Sequence, residues 1–143
     1  MTNAGPASCK VLDSWAVMAW IRDEQPAGGK VRSLLELGEA RQVELLMNMI
    51  NVGEVYYLLA KRQGRQWAAE ALERFHTTPV RIVGASNDLI QEAAEIKGRH
   101  PISYADAFAV ATAIRHRATL VTGDPDLRPL ADAGVVNLEW IGR

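Results

Sequence analysis

The 143-residue chain is 48% hydrophobic and 23% charged, with 16 Lys and Arg against 17 Asp and Glu, which is ordinary for one globular domain able to bury its own core. A formal net charge of -1 excludes a protein that binds nucleic acid through its overall charge, so any such site has to be local. One cysteine, Cys9, excludes an internal disulfide and a cysteine-rich zinc cage and fits a reducing compartment, and no apolar run approaches the roughly 18 residues of a membrane span.

Residues 1–8 lack the positive flank and apolar run of a secretory signal. They read as a flexible tail before one cytoplasmic domain over 9–143. A strand is expected over residues 9–12, ended by Asp13-Ser14, with an apolar helix over 15–21 that Asp13 can cap. Residues 22–29 form a polar loop punctuated by Pro26, Gly28 and Gly29. Val31, Leu34, Leu35 and Leu37 recur at helical spacing, giving an amphipathic helix over 29–40. A second strand covers 43–47, and a helix runs from 49 or 50 to 63 with Val52, Val55, Tyr56, Leu59 and Ala60 inward and Glu54 near its start. Gly64 closes it. A further helix over 66–76 presents Trp67, Ala71, Leu72 and Phe75, a strand follows over 79–83, and Ser86-Asn87-Asp88 caps a helix that ends in the basic turn 97–101.

The stretch 102–114 is built of small residues. Ala105, Ala107, Ala109, Ala111 and Ala113, with Phe108, Val110 and Ile114 between them, leave apolar side chains on nearly every face, the pattern of an enclosed helix. Asp106 is the only charge within it. Ser103 can serve as its N-cap, and a first-turn acid complements the helix dipole; a carboxylate near such an interior otherwise calls for a partner, a metal or a water-filled cleft. A strand over 118–122 leads into Gly123-Asp124-Pro125-Asp126, and after a short segment over 127–133 a last strand covers 135–140.

Apolar strands separated by helices indicate an α/β domain with a mainly parallel sheet covered on both faces. Ligands of such sheets sit beyond the carboxyl ends of the strands. Asp13 and Asp124 follow strand ends, and Glu54 and Asp106, both expected in first turns, can point to the same edge. Converging carboxylates repel unless neutralised, and their hard oxygens suit Mg²⁺ or Mn²⁺, a combination fitted to phosphoryl chemistry. No rival set is present: Cys9 has no evident base, there is no nucleophile elbow or Walker loop, and His76, His100 and His116 lack zinc spacing and read as solvated.

Val-Leu-Asp13-Ser, Asn-Val-Gly-Glu54-Val, Ser103-Tyr-Ala-Asp106-Ala and Leu-Val-Thr-Gly-Asp124-Pro-Asp126-Leu occur in the order and contexts of the PIN domain. Over residues 11–140 the chain resembles the VapC-type toxins of prokaryotic toxin–antitoxin systems. The resemblance implies a single PIN-like α/β domain and a Mg²⁺-dependent endoribonuclease. It implies Asp13, Glu54, Asp106 and Asp124 as the catalytic and metal-binding acids, Ser103 and Thr122 as supporting groups, RNA as substrate and a cognate antitoxin as partner. Trp15 departs from the small polar residue common after the first Asp-Ser, so the hydrogen bonding around Asp13 is expected to differ; Asp126 reads as a helix cap. Arg22, Lys97, Arg99 and Arg128 are candidate phosphate contacts near the site edge. Trp20, Leu34, Tyr57 and Trp67 exceed what one core absorbs and suggest a homodimer face or an antitoxin groove. The alternatives are a catalytically silent PIN-like binding module and a receiver-type phosphotransfer domain; the latter usually has a Lys near its last strands, and none follows Leu120.

Overall fold

A computed structural model describes residues 8–143. The expected tail falls on residues 1–7, outside the described residues, except Ser8, which opens the first strand and pairs with Val43. Five parallel strands form one sheet: β1 (Ser8–Leu12), β2 (Val43–Asn48), β3 (Arg81–Val83), β4 (Thr119–Thr122) and β5 (Leu138–Trp140), in the order β3-β2-β1-β4-β5. The chain moves outward from β1 to β3, then returns to lay β4 on the other side of β1. The sheet therefore reverses direction between β1 and β4, and their carboxyl ends flank a crevice at that switch point. A receiver-type sheet runs 2-1-3-4-5, so this order departs from that alternative.

The reversal also sorts the helices. Right-handed crossovers carry connections on one face while the strands advance one way and on the other when they return. Accordingly α1 (Ser14–Ile21), α2 (Ala27–Glu39), α3 (Met49–Gln63) and α4 (Arg65–His76) pack with Leu12, Leu45, Met47 and Val121. On the opposite face α5 (Asn87–Arg99), α6 (Tyr104–Arg115), a 3₁₀ turn (Pro125–Leu127) and α7 (Arg128–Asp132) pack with Val11, Leu46 and Leu120. Adjacent strand residues such as Val11 and Leu12 feed different cores and both are fully buried. That is why the strands read as continuous apolar runs.

The α6 helix is enclosed as expected: every residue from Asp106 to Ala113 is buried. The element limits shift by one or two residues at most ends and by three at the start of β5. β3 starts at Arg81 and β5 at Leu138, because these edge strands have one neighbour each and ladder pairing runs out sooner. The expected partner face dissolves in part. Leu34 is buried, and Trp20 and Trp67 pack against the core, with the Trp20 ring 6.2 Å from that of Phe75. Tyr57 remains exposed and is joined by Met49, Ile50 and Tyr104. His76 is exposed, and His100 and His116 are partly exposed. Among the described residues no helix is long and apolar enough to cross a membrane.

Candidate functional site

The four acids meet at the switch-point crevice, each brought by a different connection. Asp13 follows β1 and caps α1: its Oδ1 accepts from Ala16 N at 2.8 Å. Its Oδ2 accepts from the Thr122 hydroxyl at the end of β4. That same Thr122 oxygen accepts from Asp124 N at 3.0 Å, so one hydroxyl ties the acid after β1 to the backbone of the acid after β4. Trp15 takes no part in these bonds; in place of a small polar side chain beside Asp13 it offers an indole that packs over Gly123.

Glu54 stands in the second turn of α3, as its sixth residue, rather than in the first turn. The macrodipole therefore does little for it; it is held by the Ser14 hydroxyl, which donates to its Oε1. Asn48 caps α3 and donates its amide to Thr112 at 3.2 Å, and Asn51 Nδ2 donates to Ala105 O at 3.0 Å. These two buried amides lock α3 to α6 and set Glu54 beside Asp106. Ser103 caps α6, accepting from Asp106 N at 3.1 Å. Asp124, not Asp126, caps the 3₁₀ turn, accepting from Asp126 N at 3.0 Å. Asp126 thus lies in the turn itself, exposed, rather than acting as its cap.

A cleft of about 440 Å³ is lined by Glu54, Asp106 and Asp124, with Ser14, Ser103, Trp15, Met18, Glu24 and Leu58. Asp13 and Thr122 are buried and do not line it. Burial pushes the Asp13 carboxyl up to about 7, opposed by the Thr122 and Ala16 hydrogen bonds and aided by the charges of Asp106 and Asp124. Burial likewise raises Asp106 to about 6; Asp124 adds to the rise, Ser103 opposes it, and Glu54 and Asp126 add further. Neighbouring carboxylates thus raise both Asp13 and Asp106, and the cleft holds like-charge repulsion. Cys9 is pushed up to about 11 by burial and by its contact with Glu44, which leaves it protonated and unreactive.

Two basic groups complete the cleft, Arg22 and Arg62. Arg62 was not among the candidates from sequence, yet its signal was present: Glu54, Leu58 and Arg62 fall at i, i+4 and i+8 of one helix, and Ser14, Met18 and Arg22 repeat that spacing from α1. Both stripes place a polar group at the inner end and an arginine at the outer end. Arg99 lines a separate depression with Glu92, Glu95 and His100; Lys97, like Arg99, stands in the last turn of α5 and does not line the acidic cleft. Arg128 lies over the Trp140 ring, 3.8 Å from its centroid.

Among the described residues no three acidic, histidine or cysteine side chains stand close enough to hold an ion as they are. The donor chemistry nevertheless fits a hard divalent cation, since the cleft offers carboxylate and hydroxyl oxygens, no thiolate or imidazole, and a repulsion that a cation relieves. Binding one requires the carboxylates to draw together.

A sequence model of the PIN domain matches residues 10–133. No curated protein matches the sequence at a significant level. Solved structures of similar fold include VapBC2 from Rickettsia felis bound to a DNA fragment from its promoter, at a TM-score of 0.72 and 18% identity over 92% of this chain and 97% of that one. DNA-bound VapBC from Salmonella typhimurium gives a TM-score of 0.73 at 15% identity, over 92% and 97% of the two chains. The sarcin-ricin loop cleaving toxin VapC20 of Mycobacterium tuberculosis gives 0.68 at 21% identity, over 84% of this chain and 93% of that one.

Proposed function

This chain belongs to the PIN domain family, and on that premise we propose that it is a Mg²⁺- or Mn²⁺-dependent endoribonuclease, the cytoplasmic toxin of a toxin–antitoxin pair. The observation that carries the reading is the convergence of Glu54, Asp106 and Asp124 on one cleft, with Asp13 buried behind them, at the switch point of the sheet. The likeness in fold to a toxin that cleaves the sarcin-ricin loop supports RNA as substrate, and the likeness to VapBC complexes supports an antitoxin partner.

In this reading Glu54, Asp106 and Asp124, with Asp13 behind them, would hold the cation, which when bound would supply positive charge to a scissile phosphate and acidify a water. Ser14 orients Glu54, and Thr122 orients Asp13 and the Asp124 backbone. Ser103 holds the first turn of α6 so that Asp106 faces the cleft. Arg22 and Arg62, at the outer wall, hold the flanking phosphates of the strand. The water gives up a proton as its oxygen bonds to phosphorus, the P–O3′ bond breaks, the departing O3′ takes up a proton, and the products carry a 3′-hydroxyl and a 5′-phosphate. A second copy of the chain is proposed to cover the exposed stripe of Ile50 and Tyr57 on α3 with Tyr104.

The test is cleavage of labelled RNA with Mg²⁺ by wild-type and Asp106→Asn protein. Cleavage that needs the metal and is lost in the variant supports the reading. Undiminished cleavage in excess EDTA, or 2′,3′-cyclic phosphate products, overturns it, and failure to cleave any RNA would leave a silent binding module.

A further inference from the structure

A second groove, of about 360 Å³, opens beside the acidic cleft, and Trp15 and Glu24 line both. Its remaining wall includes Gly123 and Pro125 just beyond β4, and Trp140 at the end of β5. The two spaces are therefore neighbours across one indole. Trp15 sits so near Gly123 that a Cβ there would fall 2.2 Å from the ring; only the missing side chain lets the indole stand as the partition. Trp140 is half-buried and belongs to neither core. Its ring is held in place by the Arg128 guanidinium at 3.8 Å and by its own Nε1–H, which donates to Arg143 O at 3.3 Å.

Trp15 packs on the core beneath α1 and Trp140 against Arg128 and Gly142, yet each indole keeps part of its surface open to the same groove. Flat aromatic walls are what unstacked bases bind, and side-chain stacking is tolerant of sequence while polar groups at the rim select an edge. Glu24 supplies such a rim, an acceptor for the N–H groups of a base. Arg128, over the Trp140 ring, and Arg143, in the groove wall, add positive charge beside it, which suits the sugar–phosphate chain that carries the base.

We propose that this groove takes one unpaired nucleobase of the RNA strand whose phosphate occupies the acidic cleft, and that it thereby selects which phosphodiester is cut. The inference rests on the ribonuclease reading and adds to it a specificity subsite made by Trp15 and Trp140. A base stacked in this groove fixes the register of the strand, since the shared Trp15 wall sets the groove beside the cleft.

The experiment uses a short, randomised single-stranded RNA pool with Mg²⁺, the wild-type protein, Trp140→Leu and the conservative Trp140→Phe. Sequencing of the cut ends is expected to show base enrichment at one position beside the cut, flattened in Trp140→Leu and retained in Trp140→Phe. RNA made abasic at that position should be cut about tenfold or more slowly by wild type, the scale of one base–aromatic stack, and this ratio should fall toward one in Trp140→Leu. If the leucine variant does not fold, the abasic penalty in wild type together with retention in Trp140→Phe still decides the matter. Cleavage that is indifferent to an abasic nucleotide at every position beside the cut overturns the groove alone. The same holds if Trp140→Leu keeps the full penalty, or if it loses only its complex with the antitoxin, which would make the groove a protein-docking surface. No cleavage of any RNA by wild type overturns the ribonuclease reading and this inference with it.

Discussion

Replacing Asp106 by Asn tests whether the acids at the crevice are held together against their own repulsion. The carboxyl moves from its ordinary 3.8 to about 6 on folding, first through burial and then through the charge of Asp124. At about 1.4 kcal/mol for each pH unit between the two values, protonation in the folded state is worth about 3 kcal/mol. The sign follows from the direction: a raised folded value makes this contribution fully present below about pH 4 and removes it as pH rises through 6. Asn carries no charge at any pH, so it escapes that loss. Its gain over wild type should be about 1 kcal/mol or less at pH 4.5 and about 3 at pH 8. Loss of a first-turn charge at α6 offsets about 0.3–1 kcal/mol of this. The net, about 2 kcal/mol, corresponds to about 6–10 °C in Tm at pH 8 for a domain of this size. Melting followed by circular dichroism in EDTA at the two pH values measures it, and cleavage assayed in parallel should be lost. A variant that melts below wild type at pH 8, or a gain unchanged between pH 4.5 and 8, would falsify the argument, because a structural aspartate tied by Ser103 alone behaves in that way.

Mg²⁺ at about tenfold above its Kd should stabilise wild type by about 1.4 kcal/mol and Asp106→Asn by much less, read as the Tm difference with and without EDTA. Thr122→Val removes both the donor to Asp13 and the acceptor for Asp124 N in a fully buried place; a loss of about 1–3 kcal/mol is expected in denaturant unfolding, and an unchanged midpoint would count against the relay. Gly123→Ala pushes a Cβ into the Trp15 ring and should cost about 1–3 kcal/mol, with Trp15→Leu restoring much of it in the double variant; additive losses would mean that the contact is not the cause. Arg62→Ala, exposed at the outer end of its helical stripe, should leave Tm within about 0.5 kcal/mol of wild type and weaken RNA binding, with a shallower salt dependence. Unaltered binding would remove Arg62 from the phosphate path.

The two-faced parallel sheet was legible in the apolar strand runs, because strands buried on both sides need no alternation. The enclosed α6 helix was legible for the same reason: alanines at every second position leave no polar face for solvent. The four acids could be found by their positions after strands and near helix starts, since a carboxylate in apolar surroundings is costly without cause. The strand order, by contrast, belongs to tertiary structure. No local pattern says that β4 returns beside β1, yet that placement brings Asp13 and Asp124 to one crevice. Helix phase decided the rest. Glu54 is useful because Asn51 and Asn48 fasten α3 to α6, and Arg62 because it lies two turns along the same stripe. Trp20, Leu34 and Trp67 went the other way: their spacing marks them as apolar but not how much neighbouring surface folding brings over them. Trp15 and Trp140 lie far apart in the chain and share a groove only because β4 and β5 end side by side. Periodicity and composition act on one element at a time, whereas a site is made where several elements end, and that meeting is set by the packing of both cores around the sheet.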